Sequence, residues 1–165
     1  MSKMIEVRET GGPEVLQLVQ HDVPKPGDDQ ITIKQSAIGI NFIDVYFRTG
    51  LYPPPQLPFV PGMEAAGEIV EIGSAVTDMK VGDRVAYAAA PVGAYTELRN
   101  IEAAKVVKVP DSISDDQAAA MMLKGMTARY LLRATFKVTS DHTILFHAAA
   151  GGVGLIAGQW AKALG

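Results

Sequence analysis

The chain of 165 residues has a normal length for one domain and is long enough to bury a hydrophobic core. Hydrophobic residues make up 48% and charged residues 20% of it, a balance typical of a globular protein rather than a disordered one. The absence of cysteine excludes a disulfide framework and a thiolate zinc site, and the net charge of −3 gives no general attraction for nucleic acid.

Nothing in the sequence indicates export or membrane insertion. No apolar run approaches the roughly 20 residues that a membrane-spanning helix needs. The first residues, MSKMIEVRETGG, are charged and polar, unlike the apolar segment of a signal peptide. We therefore expect a cytoplasmic protein with no membrane segment and no nucleic-acid partner.

The first hundred residues predict short β-strands separated by turns, as in a small barrel-like or sandwich β domain. The signals are apolar alternation, a hairpin-like Gly-Gly-Pro-Glu segment, and a tight turn at Gly82–Asp83. The predicted strands cover residues 4–9, 15–20, 31–40, 65–73, 84–87, 93–99 and 105–110.

One helix interrupts this β-rich part. Asn41 is a plausible N-cap, apolar residues follow at helical spacing, and Gly50 can end the helix. The next segment, LYPPPQLPFVPG at 51–62, carries five prolines and is predicted to be an irregular surface loop.

After Pro110 the pattern becomes helical. Ser114 and Gln117 fit a capping box that opens a helix over 115–123, and a second helical run covers 126–134. Gly125 is expected to kink or separate the two runs. The apolar run TILFHA at 143–148 then predicts a buried strand.

A glycine-rich turn follows that predicted strand and leads into an amphipathic helix. It can be aligned as Ala149-x-Gly151-x-x-Gly154 or as Gly152-x-Gly154-x-x-Ala157. Both alignments let the backbone turn sharply and approach a pyrophosphate at a helix N-terminus, so the turn predicts dinucleotide binding. The predicted buried face of the helix consists of Val153, Ile156, Ala157, Trp160 and Leu164.

Long motifs of the chain resemble the zinc-free quinone oxidoreductase/ζ-crystallin family of the medium-chain dehydrogenase/reductase superfamily. They are DHTILFHAAAGGVGLIAGQWAK at 141–162, AIGINFIDVYFRTGLYPPP at 37–55, PGMEAAGEIVEIGS at 61–74, KVGDRVAY at 80–87, GAYTE at 93–97 and AAAMMLKGMTARYLL at 118–132. The resemblance covers the whole chain but only about the first half of a family member.

The resemblance implies an α/β fold in two parts. Residues 1–124 are expected to form a GroES-like, β-rich catalytic domain. Residues 125–165 are expected to form a linking helix and the first strand, turn and helix of a truncated Rossmann-type domain. In the family, the substrate pocket lies between these domains, and the intact protein is expected to be a homodimer.

The resemblance also implies site residues. Asn41, Tyr46 and Tyr52 are expected at the catalytic position, where Asn41 hydrogen-bonds the nicotinamide carboxamide or a quinone oxygen. The residues expected to bind the cofactor are Asn41, Phe42, Ile43, Asp44, Val45, Tyr46, Lys124, Thr127, Tyr130, Gly151, Gly152, Val153 and Gly154.

Several of these residues also have purely structural interpretations. Tyr46 is alternatively a core residue of its helix, Tyr52 a loop aromatic held by prolines, and Lys124 a surface lysine. Asp44 is interpreted as a structural residue whose partner is Arg48, four positions later on the same face of the helix. His147, at the end of the predicted strand, is interpreted as a core histidine rather than a catalyst.

The expected reaction is NADPH-dependent reduction of a quinone by hydride transfer, without zinc. Zinc-dependent relatives carry Gly-His-Glu where this chain has Gly62-Met63-Glu64, and a thioether without imidazole or thiolate partners is a poor zinc site. Alternatives are an enoyl or alkenal reductase acting on a conjugated carbonyl, or a non-catalytic GroES-like module. The chain alone is expected to be an inactive fragment, and its residues do not distinguish NADPH from NADH.

Overall fold

The computed structural model describes residues 1–54, 56–88 and 91–165, which form two compact units, Met1–Ala120 and Met121–Gly165. None of the helices within these residues combines the length and hydrophobicity that crossing a bilayer requires. The seven strands of the described residues are β1 (Ser2–Glu6), β2 (Gln17–His21), β3 (Gln30–Gly39), β4 (Glu64–Ile72), β5 (Arg84–Ala88), β6 (Leu98–Glu102) and β7 (Val107–Lys108).

The strands of the first unit pair antiparallel in two sheets. β1 and β2 form the predicted hairpin, with a short 3₁₀ turn at Pro13–Val15 between them. The other five strands form a sheet in the order β6-β3-β4-β5-β7. A core packs against this sheet and consists of Ile31, Ile33, Ala65, Ile69, Val85, Tyr87, Ala94, Ile101 and Val106. The sequence pattern therefore predicted the β-rich character of this unit correctly.

Several predicted strands have other bounds in the structure; β1, for example, ends at Glu6 rather than at Glu9. Residues 93–97 lie outside the sheet ladder except for a single bridge between Thr96 and Met4, and the strand begins at Leu98. In the segment 105–110, only Val107–Lys108 forms a strand. The backbone N–H of Tyr95 donates to the Pro61 carbonyl, N to O 2.9 Å.

The described residues contain three α-helices: α1 (Phe42–Thr49), α2 (Asp115–Tyr130) and α3 (Gly152–Ala163). The expected break at Gly125 is wrong, because α2 runs through it and continues into a π-helical turn at Leu131–Thr135. A glycine inside a helix costs only about 1 kcal/mol relative to alanine. That local cost is too small to end a helix with good helix formers on both sides.

The second unit packs around the predicted apolar face of α3. All five residues of that face contact a cluster built on Ala128, Leu132 and Val138. The predicted buried strand at 143–148 is wrong: these residues form no strand, and Leu145 is 87% exposed. His147 is exposed as well, so it is not the expected core histidine. A strand needs a hydrogen-bonding neighbour, and the described part of this unit contains no other strand.

Candidate active site

Asn41 and Asp44 begin α1, the segment that the sequence predicted at the catalytic position. The Asn41 backbone N–H donates to Asp44 Oδ2 at 2.9 Å, part of a capping box that ties the two residues together. Asp44 is only 5% exposed, although it is charged. The C-terminal end of the helix is closed by Gly50, whose φ of 79° is the left-handed conformation that glycine adopts without strain.

Glu64, the first residue of β4, holds the side chain of Asn41. Asn41 Nδ2 donates to Glu64 Oε1 at 2.8 Å, and Glu64 is 0% exposed. Gly39 makes room for this contact, because a Cβ at that position would lie 2.4 Å from Glu64 Cγ. From the sequence, Glu64 was interpreted only as part of Gly62-Met63-Glu64, which replaces the Gly-His-Glu of zinc-dependent relatives. A carboxylate inside the apolar run GMEAAGEIV was the signal for a buried polar partner.

Tyr95 is a further member of this cluster. Its hydroxyl donates to Asp44 Oδ2 at 3.0 Å. Burial raises the pKa of the Tyr95 phenol above its ordinary value, and the charge and hydrogen bond of Asp44 raise it further. Because 51 positions separate the two residues in sequence, no local pattern predicted their contact.

The aromatic residues Tyr46, Phe47 and Tyr52 pack together at the C-terminal half of α1. Tyr52 meets Tyr46 edge-to-face with ring centroids 5.2 Å apart, and meets Phe47 at 6.1 Å. The Tyr52 backbone N–H also donates to the Tyr46 carbonyl, N to O 3.1 Å. Tyr52 nevertheless remains 46% exposed, so an aromatic ligand can reach its ring.

The remaining α1 residues of the predicted cofactor segment differ in accessibility. Phe42 is 79% exposed at the start of the helix, and Ile43 and Val45 are half-buried. The structure therefore brings Asn41, Asp44, Tyr46 and Tyr52 into two connected clusters along one helix and leaves Phe42 open to solvent.

The glycine turn of the second unit leads directly into α3, as the sequence predicted. Ala148 has a positive φ of 54°, and Gly151 caps α3 without a side-chain hydrogen bond. A Cβ on Gly154 would lie 2.5 Å from the Ala149 carbonyl oxygen, so only glycine fits there. The first turn of α3 contains no acidic residue that would repel an anion. Its backbone N–H groups can therefore donate hydrogen bonds to one. These features fit the pyrophosphate of a dinucleotide.

Lys124 lies beside this turn. Its Cδ is 2.7 Å from the position that a Cβ on Gly152 would occupy, so the lysine stem covers Gly152. The Thr127 hydroxyl is engaged within α2, donating to the Leu123 carbonyl at 2.8 Å, and Tyr130 is half-exposed. The second unit thus brings Lys124 to the glycine turn.

Among residues 1–54, 56–88 and 91–165, no group of three or more His, Asp or Glu side chains is arranged to hold a metal ion. The side chains around Asn41 are an amide, carboxylates and a phenol, a set suited to hydrogen bonding.

The chain resembles known proteins along its whole length. Residues 27–111, just over half of the chain, match the family described as the alcohol dehydrogenase GroES-like domain. The quinone oxidoreductase of Pseudomonas aeruginosa is 55% identical over all 165 residues, which cover 51% of that protein. The 2-haloacrylate reductase of a Burkholderia species is 43% identical, over 96% of this chain and 49% of that protein.

A solved structure is similarly close to this chain in sequence and covers it almost completely. The Escherichia coli quinone oxidoreductase complexed with NADPH is 55% identical and superposes with a TM-score of 0.96, over 99% of this chain and 50% of that one. The chain spans about half the length of the curated relatives it matches. It belongs to the alcohol dehydrogenase GroES-like domain family, within the medium-chain dehydrogenase/reductase superfamily.

Proposed function

We propose that a full-length protein containing this chain reduces quinones with NADPH by hydride transfer and without zinc. The observation that carries this proposal is the 55% identity, over nearly the whole chain, to a quinone oxidoreductase whose structure contains NADPH. The nicotinamide supplies the hydride when the cofactor is bound. The protein residues orient the two reactants and exclude water.

The segment from Asn41 to Tyr46 is proposed to hold the nicotinamide end of the cofactor. Asn41 offers an amide that can bond the carboxamide or a quinone oxygen, and its position is fixed by Asp44 and Glu64. The exposed Phe42 and the half-buried Ile43 and Val45 supply apolar contact area. A residue that is already fixed loses little entropy when the ligand binds, which supports this role.

Tyr46 and Tyr52 are proposed to contact the quinone ring. Each has a flat apolar body with a hydroxyl, and their edge-to-face contact holds Tyr52 in place while half of it stays accessible. Such a surface suits a planar conjugated ring better than a flexible aliphatic substrate.

The turn at Gly151–Gly154 is proposed to bind the pyrophosphate, with Lys124 adding positive charge beside Gly152. Thr127 and Tyr130, on the same helix as Lys124, are proposed to contact the cofactor next to it. The assignment of residues 1–124 to a catalytic domain and 125–165 to the start of a cofactor-binding domain belongs to this proposal. So does a homodimeric full-length protein.

A second candidate is reduction of an activated carbon–carbon double bond. The 43% identity to a 2-haloacrylate reductase is the observation in its favour. Both substrate classes accept a hydride at a conjugated carbon, so a single site can serve either one. The two candidates differ in substrate shape, because a haloacrylate is small and acyclic whereas a quinone is a planar ring.

Substrate profiling separates the candidates. The full-length protein is given NADPH with 1,4-benzoquinone, a 2-alkenal or 2-chloroacrylate, and NADPH consumption is followed at 340 nm. We expect kcat/KM for the quinone to exceed that for the other two by at least about tenfold, equivalent to about 1.4 kcal/mol. A quinone no better than the alkenal or the haloacrylate contradicts the first candidate.

The 165-residue chain alone is proposed to be inactive and to bind NADPH weakly. Its second unit leaves apolar side chains such as Leu145 exposed, as in a structure without its neighbours. Titration with NADPH while following Trp160 fluorescence tests this point. Micromolar binding together with turnover contradicts it.

A further inference from the structure

The most unusual buried group in the first unit is the carboxylate of Glu64. It is fully buried next to the hydrophobic core, where an unpaired carboxylate is very costly. Removing one partner of a buried polar contact leaves the other partner unsatisfied, so the carboxylate and the groups that hydrogen-bond it depend on one another.

The contact between Glu64 and Asn41 gives the carboxylate a specific task. A carboxylate accepts hydrogen bonds, so Glu64 Oε1 selects the Nδ2 side of the Asn41 amide, 2.8 Å away. Turning the amide over would bring two oxygen acceptors together. Glu64 thereby fixes on which side the NH₂ donor of the Asn41 amide lies and on which side its C=O acceptor lies.

Two further features keep this contact in place. Asp44 holds the Asn41 backbone through its N–H, so the residue is held at both its main chain and its side chain. Gly39 has no Cβ, and one at that position would lie 2.5 Å from Glu64 Oε1 and 2.6 Å from the Ala119 carbonyl oxygen. A residue larger than glycine at position 39 would therefore displace the Glu64 side chain from its contact with Asn41.

We propose that Glu64 is a positioning residue that sets the orientation of the Asn41 amide for hydride transfer. The inference rests on the proposed function, in which Asn41 contacts the nicotinamide carboxamide or the quinone oxygen. An amide that is already oriented can bond its partner without reorganisation. Glu64 touches neither reactant in this account and acts only through Asn41.

The test uses the full-length protein and two substitutions of Glu64. Glu64→Met keeps an unbranched side chain of similar length but removes the acceptor. We expect it to lower kcat/KM about 10- to 100-fold. Glu64→Gln keeps an oxygen that can accept from Asn41 Nδ2, and we expect it to stay within about threefold of the wild type.

A double-mutant cycle shows whether Glu64 acts through Asn41. If it does, Glu64→Met in an Asn41→Ala background changes kcat/KM by less than about twofold, because contacting residues are non-additive. Thr32→Val is the matched control: it removes another buried hydrogen bond, to Asn100 Oδ1 at 2.7 Å, and lies outside the proposed site. It should lower stability without changing kcat/KM. Additive effects of the Asn41 and Glu64 substitutions, or an unchanged rate in Glu64→Met, would overturn the proposal.

A measurement independent of turnover separates this proposal from the proposed function. In protein labelled with ¹⁵N-asparagine, the Asn41 side-chain amide signals are assigned by their loss in Asn41→Ala. We expect them to shift in Glu64→Met and to remain near their wild-type positions in Thr32→Val. Unchanged signals overturn the positioning role. If the wild-type protein does not reduce quinones, the proposed function is overturned. The amide signals then still report whether Glu64 orients Asn41.

Discussion

Arg84 on β5 is joined to Asp115 in the first turn of α2 by two hydrogen bonds. Nη2 and Nε of Arg84 lie 2.6 Å and 3.0 Å from Asp115 Oδ1. The extra residue of a β-bulge in β3, Ser36, donates its hydroxyl to the same carboxylate. One carboxylate therefore connects two strands of the sheet to the start of the helix. A negative charge at a helix N-terminus also interacts favourably with the helix dipole.

This connection makes stability depend on pH. The Ser36 hydroxyl and then Arg84 hold the pKa of Asp115 below its ordinary value. A lowered native pKa adds stability above the ordinary carboxyl pKa of about 4, and this contribution is lost as pH falls through the native value. We expect Asp115→Asn to lower the free energy of unfolding at pH 7 by about 0.5–1 kcal/mol.

Urea unfolding at pH 7 and pH 3 measures this effect. The difference between wild type and Asp115→Asn should shrink at pH 3. The exposed neighbour in the same turn, Asp116→Asn, serves as the control and should change the unfolding free energy less at pH 7. Equal effects of the two substitutions contradict the role given to Asp115.

Two glycines of α3 should respond to alanine in opposite ways. A Cβ on Gly154 meets the Ala148 and Ala149 carbonyl oxygens at 2.6 and 2.5 Å, so Gly154→Ala forces the turn to shift. We expect a loss of about 1–3 kcal/mol from this overpacking, and weaker NADPH binding by the full-length protein. A Cβ on Gly158 meets nothing within 4 Å, and Gly158→Ala should stabilise by about 0.5–1 kcal/mol. Thermal unfolding and NADPH titration check both, and tolerance of Gly154→Ala argues against the tight turn.

The phenol of Tyr95 should report the charge of Asp44. Burial raises the pKa of Tyr95, and Asp44 adds to that increase. Asp44→Asn should therefore lower the pKa of Tyr95, which ultraviolet absorbance near 295 nm can follow during a pH titration. Because the native pKa is raised, the contribution to stability is present below about pH 10 and is lost as pH rises above it. A Tyr95 titration that Asp44→Asn leaves unchanged would show that the two groups are not coupled.

Tyr52 provides a test of the aromatic surface. In the full-length protein, Tyr52→Ala should raise KM for the quinone about 3- to 10-fold, because it removes one aromatic contact with the substrate. Tyr52→Phe keeps the ring packed against Tyr46 and should stay within about twofold. If Tyr52→Ala leaves KM unchanged, Tyr52 is a loop residue with a packing role only.

The sequence predicted those parts of the fold and site that depend on neighbouring residues. α1 was found because Asn41 and Gly50 mark its ends locally, and the glycine turn because its backbone requirements fall within a few residues. The segment at 143–148 was predicted wrongly, since its apolar pattern shows hydrophobicity but not whether a strand partner exists.

The contacts around Asn41 were missed for a related reason. Glu64 lies 23 positions and Tyr95 lies 54 positions from Asn41, and their meeting depends on how β3, β4 and the segment before β6 are arranged. A single sequence does not reveal such long-range pairs. The buried Glu64 could have been suspected from its apolar neighbours, whereas Tyr95 gave no local signal.

Transfer of hydride from NADPH to a quinone is the central claim, and an isotope experiment on the full-length protein tests it most directly. NADPH carrying deuterium at C4 is mixed with 1,4-benzoquinone in a single turnover, and absorbance at 340 nm is followed together with hydroquinone formation. We expect one hydroquinone per NADPH oxidised and a slower reaction with the deuterated cofactor. NADPH that is not consumed in the presence of the quinone would contradict the account.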